Sequence, residues 1–136
     1  MKTLVVILSV ILVGNLVAGW FYTKTKDVEV TYLLPEGLEG CVSVHFFREG
    51  KPELEIVDDE LLIPVPESGT LFTSSPSSVI TNLGWHMEKA FYVNKKGERT
   101  QEIDPEKFAN GAMISSDSPF SEKFILSFDG PSDLCQ

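Results

Sequence analysis

From Asp27 onward, apolar and polar side chains alternate in short runs, and this two-residue period restricts the chain to extended structure with one buried face. Val28, Val30, Tyr32 and Leu34 alternate with Glu29, Thr31 and Leu33, and the turn Pro35-Glu36-Gly37 ends the run. Val42, Val44 and Phe46 then alternate with Cys41, Ser43, His45 and Phe47, up to Glu49-Gly50-Lys51-Pro52. Glu53–Val57 is a third short strand, followed by the acidic turn Asp58-Asp59-Glu60. Leu61–Phe72 reads as strand, turn, strand, with Leu61, Ile63 and Val65 in one arm, Glu67-Ser68-Gly69 reversing the chain, and Leu71 in the other. Pro64 and Pro66 cannot donate to a ladder, so the first arm either lies at a sheet edge or leaves its sheet early.

Thr73–Ser78 has loop composition, and no helix is signalled between it and Gly84-Trp85-His86. Ala90–Val93 and Glu98–Ile103 flank Asn94-Lys95-Lys96-Gly97, a type I turn with Gly97 in the left-handed position, which predicts a hairpin. Asp104-Pro105-Glu106 has an N-cap, a proline at the first helical position and an early acid, and Asn110-Gly111 stops the one or two helical turns that follow. Ala112–Ile114 is a brief strand, and Phe124, Leu126 and Phe128 share a face of the last one. These elements predict an all-β protein, a single antiparallel β-sandwich of the prealbumin-like or immunoglobulin-like kind, with one short helix and a preceding N-terminal hydrophobic helix. The expected core is Val28, Val30, Tyr32, Val42, Val44, Phe46, Ile63, Val65, Leu71, Phe91, Val93, Phe124, Leu126 and Phe128.

Ahead of the alternating region, an apolar run begins at Leu4 behind the single cation Lys2. Ending near Gly19 it is an export signal; extended to Tyr22 it is roughly 28 Å of helix, long enough to span a bilayer. The sequence therefore divides into residues 1–22, a signal peptide or membrane anchor, a β-domain over 27–130, and a tail over 131–136. Trp20 stands where a lipid-bearing cysteine would follow Val17-Ala18-Gly19, so no lipid attaches there. Both readings place the domain outside the cytoplasm, either secreted or held to the cytoplasmic membrane through residues 4–22.

At 136 residues the chain suits one core rather than two. Its net charge of −9, with the lysines scattered, argues against a nucleic-acid partner and suits a dispersed, soluble acidic surface. Cys41 and Cys135 lie beyond the apolar run, where a disulfide is possible, and one closing so long a loop is worth about 3–5 kcal/mol. Two unpaired thiols are the alternative.

No pattern of residues carries catalysis. The Gly-x-Ser-x-Gly signature is absent, and Ser74, Ser75, Ser77 and Ser78 are explained as loop formers. Cys41 and His45 share a strand face but are separated by about 13 Å of extended chain, too far for proton transfer. Two histidines and two cysteines without paired spacing do not make a zinc site, and Asp58-Asp59-Glu60 lacks the alternating ligand order of a calcium loop. No cofactor is expected. Trp85 has two readings: an indole capping the end of the core, which is the plainer one, or an anchor for a partner or a sugar. Its neighbour His86 is a surface residue or packs on that indole.

Tyr32–Gly37, Gly40–Val44, Ile63–Gly69, Thr73–Ser75, Gly84-Trp85 and Phe91–Gly97 together resemble a family of small bacterial proteins of unassigned activity over residues 27–103. That resemblance implies export or membrane attachment and no catalytic residues. At the level of fold alone the chain is also similar to prealbumin-like regulatory modules. The resulting expectation is a non-enzymatic binding or interaction module that meets a protein or another cell-envelope component through Trp85 and His86. The alternatives are a hydrolase of envelope polymers working through acidic residues and a membrane-tethered accessory subunit.

Overall fold

A computed structural model of the chain describes residues 27–115 and 122–128. Among the described residues nine strands form: β1 (Glu29–Pro35), β2 (Gly40–His45), β3 (Glu55–Val57), β4 (Glu60–Pro64), β5 (Thr70–Phe72), β6 (Glu88–Val93), β7 (Arg99–Glu102), β8 (Phe108–Ile114) and β9 (Lys123–Phe128). One sheet has the order β3-β4-β1-β6-β7 and the other β5-β2-β9-β8. The chain is mostly β, and both sheets are mixed: β1 runs parallel to β4 and to β6, and β2 runs parallel to β5. The expected antiparallel pairing is thus corrected. Its physical cause is that the chain changes sheets after β1, β2, β4, β5 and β7, so β1 with β4, β1 with β6 and β2 with β5 are not joined by a tight turn and can run parallel, while the sequential pairs β3–β4, β6–β7 and β8–β9 stay antiparallel. The N-terminal hydrophobic helix, the export signal and the tail lie outside the described residues, and among the described residues no helix is long and apolar enough to cross a membrane.

The Leu61–Phe72 stretch shows how a crossing is made. Its arms are β4 and β5, which belong to different sheets, so it is not a hairpin. Pro64 sits opposite Leu33 on the last rung, Val65 N–H still donates to the Leu33 carbonyl at 2.8 Å, and Pro66, with no N–H, ends the ladder. β4 lies inside the sheet rather than at its edge, so the prolines act by taking the chain out early. Gly69 then turns with φ +76°, donates to the Pro66 carbonyl at 2.9 Å and accepts from Ser43 N–H at 2.9 Å, which starts β5 against β2. A Cβ at Gly69 would lie 2.8 Å from the Cys41 carbonyl oxygen, closer than real contacts allow.

Between the sheets, Val30, Tyr32 and Leu34 of β1 meet Val42 and Val44 of β2, Leu61 and Ile63 of β4, and Leu126 and Phe128 of β9, all buried in one cluster with Phe46 and Val65. Each such side chain contributes about 1.5–3 kcal/mol relative to exposure. Tyr32 touches Phe128 edge to face at 6.0 Å across the layers. Val28 and Leu71 are only partly buried against this cluster, whereas Leu34, Leu61, Ile80, Ala90 and Ile103 belong to it. In β6 the expected parity is reversed. Ala90 shares the inward register of Tyr32, while Phe91 and Val93 fall with Leu33 and Pro35 on the outer face. Phe91 is satisfied there because the Arg99 guanidinium covers its ring at 4.6 Å and continues to the Glu60 carboxylate, with which it makes two hydrogen bonds. Lys89 pairs with Glu29 at 2.9 Å on the same face.

Local elements follow their turn chemistry. Asp58 and Asp59 both have positive φ, 51° and 65°, which makes the β3–β4 connection a two-residue type I′ turn and explains the acidic pair as turn formers. The Asn94 side-chain oxygen accepts from the N–H groups of Lys96 and Glu98 at 3.0 Å, Gly97 has φ +78°, and a register shift follows at Tyr92/Val93, as the predicted hairpin requires. Asp104 caps a 3-10 turn at Pro105–Lys107 by accepting from Glu106 N–H. Asn110-Gly111 does not stop that turn; it lies inside β8, where the pairing to β9 shifts between Ala109 and Ala112. A four-residue helix, α1 (Ser78–Thr81), occupies a stretch read as loop and is held by the buried Ile80.

Gly69→Ala combines a forbidden contact with a left-handed backbone, so it is expected to lower unfolding free energy by roughly 2–4 kcal/mol in equilibrium urea denaturation. Gly97→Ala, with open space around its Cβ, is expected to cost only about 1 kcal/mol.

Candidate functional site

After α1 the chain has to return to the first sheet, and the segment that does this presents the most exposed aromatic residue described. Leu83 N–H donates to the Ile80 carbonyl at 3.0 Å and Gly84 N–H to the Thr81 carbonyl at 3.4 Å, closing the helix. Gly84, at φ +63°, turns the backbone outward. On the far side, the Met87 carbonyl accepts from Val30 N–H at 2.9 Å, which fixes the loop to the start of β1, and Glu88 opens β6. Between these two fixed ends Trp85 is 102% exposed and Met87 64% exposed. The expectation that Trp85 caps the core is therefore overturned, because Phe46, Phe128 and Ile80 already fill the interior and the indole packs on none of them.

His86 is oriented within the loop. Its Nδ1 lies 2.8 Å from the Gly84 carbonyl, which can only accept, so that nitrogen carries a hydrogen. Its Nε2 faces Glu88 at 3.5 Å and forms an ion pair there only when the ring is doubly protonated. Gly84, Trp85, His86, Met87 and Glu88 line an open, shallow depression of about 560 Å³ with a single carboxylate in it. The surface is suited to contact through an indole and a thioether, with one imidazole as a polar point. Sequence reasoning singled out Trp85 and His86 but missed Met87, whose only signal was an apolar residue three positions before the predicted strand Ala90–Val93.

The other histidine lies on the outer face of the second sheet. His45 stacks on Phe72 with ring centroids 5.0 Å apart, and its Nε2 is 3.3 Å from Ser43 Oγ, which in turn donates to Thr70 Oγ1 at 3.4 Å. Among the described residues no carboxylate is hydrogen-bonded to His45, so the pair lacks the orienting acid of a nucleophile–base system. Burial, and after it the charges of Arg48 and Lys123, holds this imidazole below its ordinary titration range. Cys41, on the same strand, is disulfide-bonded, and Cys135 lies outside the described residues. Among the described residues no group of three or more His, Cys, Asp or Glu is arranged to hold a metal ion.

An all-β domain of two mixed sheets that presents one bare indole places the chain in a class defined by architecture rather than by chemistry, and residues 25–123 match a family of unknown function, DUF6843, to which the chain belongs. The fold is shared with a crystal structure of a candidate lipoprotein from Bacillus anthracis, at a TM-score of 0.60 and 22% identity, covering 82% of this chain and 75% of that one. No curated protein matches the chain in sequence.

His45 yields a pH test. Its folded pKa lies below the unfolded one, so the unfolded state takes up the proton first and stability falls as pH drops below about 6.5. Between about pH 7.5 and about pH 5, the melting temperature of the wild type should fall more than that of His45→Gln; parallel curves would show that the histidine is not titrating differently in the two states.

Proposed function

We propose that this protein is a non-enzymatic, extracytoplasmic binding module of the cell envelope that meets its partner through Trp85 and Met87, with His86 as a polar contact. The observation that carries this reading is the Trp85–Met87 pair itself, solvent-exposed on a loop whose two ends are fixed by hydrogen bonds to Ile80, Thr81 and Val30. Leaving an indole in water has no structural benefit, while a rigid, exposed one adds contact area at little entropic cost on binding. The apolar run at residues 4–22, the acidic surface and the structural likeness to a candidate lipoprotein support an envelope location. A shallow depression with one carboxylate favours contact over hydrolysis, which needs two acids flanking a bond.

Binding of the chain lacking residues 1–22 to isolated envelopes is expected to weaken about tenfold or more on Trp85→Ala, with an unchanged unfolding midpoint. Equal binding by the two forms defeats the proposal.

The disulfide of Cys41 fits the same compartment, and its partner in this reading is Cys135, the second of the two cysteines in the sequence. Peptide mapping without reductant should then recover the Cys41 and Cys135 peptides linked, and Cys135→Ser should lower stability by about 3–5 kcal/mol. Recovery of Cys135 as a free thiol rejects the pairing.

A further inference from the structure

Resting on that reading, we infer that the surface met by Trp85 and Met87 is lipid: the headgroup layer of the bilayer in which the chain's own apolar segment, residues 4–22, is retained.

The argument begins with the direction of the strands. β1, β4 and β6 are parallel neighbours, so their first residues lie at one end of the sheet. Val30 is level with Glu88, and its N–H donates to the Met87 carbonyl at 2.9 Å. The described chain begins at Asp27, two residues before β1, so the Trp85 loop and the point where the domain joins the apolar segment share this end. Only Thr23–Lys26 separates Tyr22 from Asp27, and a fully extended chain covers that interval in roughly 17 Å. A domain tied so closely to a bilayer turns this end toward it.

The chemistry of the loop suits that position. Indole prefers the membrane–water boundary, where its ring is in apolar surroundings and its N–H stays hydrated, and a thioether side chain beside it adds flexible apolar area. One indole and one thioether hold the free domain to a membrane with a modest affinity that Trp85→Ala lowers, and in the tethered chain they act as a second contact for which the encounter is already intramolecular. Charge specifies the lipid further. Glu29 and Glu60 are paired with Lys89 and Arg99, but Asp27, Asp58, Asp59 and Glu88 lie at the same end against only Lys24 and Lys26 of the connector, so the contact favours zwitterionic headgroups and is weakened by anionic ones.

The experiment uses the full chain carrying Trp20→Phe, which leaves Trp85 as its one indole, reconstituted in phosphatidylcholine vesicles. The expected result is a blue-shifted Trp85 emission, quenched more by a spin label at the headgroup than by one at the acyl-chain end. Both effects should diminish when phosphatidylglycerol is added, and both should be lost in Met87→Asp, an exposed position whose variant keeps the wild-type melting curve. Emission characteristic of water and indifferent to either label overturns the inference. If envelope binding nevertheless depends on Trp85, the partner is a protein or polymer and only the lipid assignment falls; if that dependence is also absent, both fall. Mass spectrometry of the native protein should find residues 4–22 attached, and a mature N-terminus at Gly19 or beyond likewise overturns it.

Discussion

The burial of one face of β1 is the condition on which the other elements depend. Val30, Tyr32 and Leu34 are fully enclosed, and β4 and β6 take their register from this strand on either side. A shift of β1 by one residue would bring Glu29, Thr31 and Leu33 into the core and expose all three buried side chains, so its register is tightly specified. The start of β1 also holds the Trp85 loop, through the bond from Val30 N–H to the Met87 carbonyl. Core packing and the presentation of the candidate contact surface are therefore set by the same strand.

The two faces of the first sheet solve different problems. Inside, Tyr32 brings its hydroxyl into the core without a hydrogen-bond partner among the described residues, and burial followed by the charge of Glu88 raises its pKa well above the usual value. Outside, Thr31 is buried in a register position that would normally be wet, level with Leu62 on one side and Lys89 on the other. Arg99 holds the Glu60 carboxyl below its ordinary range. That bridge is partly exposed and is worth about 0–1 kcal/mol, so its chief effect is to cover Phe91 rather than to hold the strands together.

Strand positions and most of the core were legible because the period of two records burial directly. The pairing of strands was not, since Pro35-Glu36-Gly37 and Pro66–Gly69 look the same in sequence whether they fold a strand back beside its neighbour or carry it to the opposite layer. Glycine and proline encode the local reversal, and which sheet receives the next strand is decided by packing. In β6 both parities are apolar, Ala90 and Tyr92 against Phe91 and Val93, so periodicity alone had no basis for choosing, and the deciding residue, Arg99, lies on another strand. Of the two readings of Trp85, the core cap is the plainer because large aromatics usually are buried, and nothing local shows that other residues have already filled the interior. Family membership adds no activity to this picture, and a fold does not supply one, since sites rather than folds carry chemistry.

The placement of β1 also has a mechanical consequence. Traction applied at residue 27 runs along a strand that is laddered on both sides, to β4 and to β6, with Tyr32 wedged against Phe128 beneath it. An edge strand can be peeled away one rung at a time, but a central strand pulled along its length loads its rungs together. A pull at this point is shared by the ladders on both sides, so the flanking loops and the edge strands β3 and β7 would yield before β1 did.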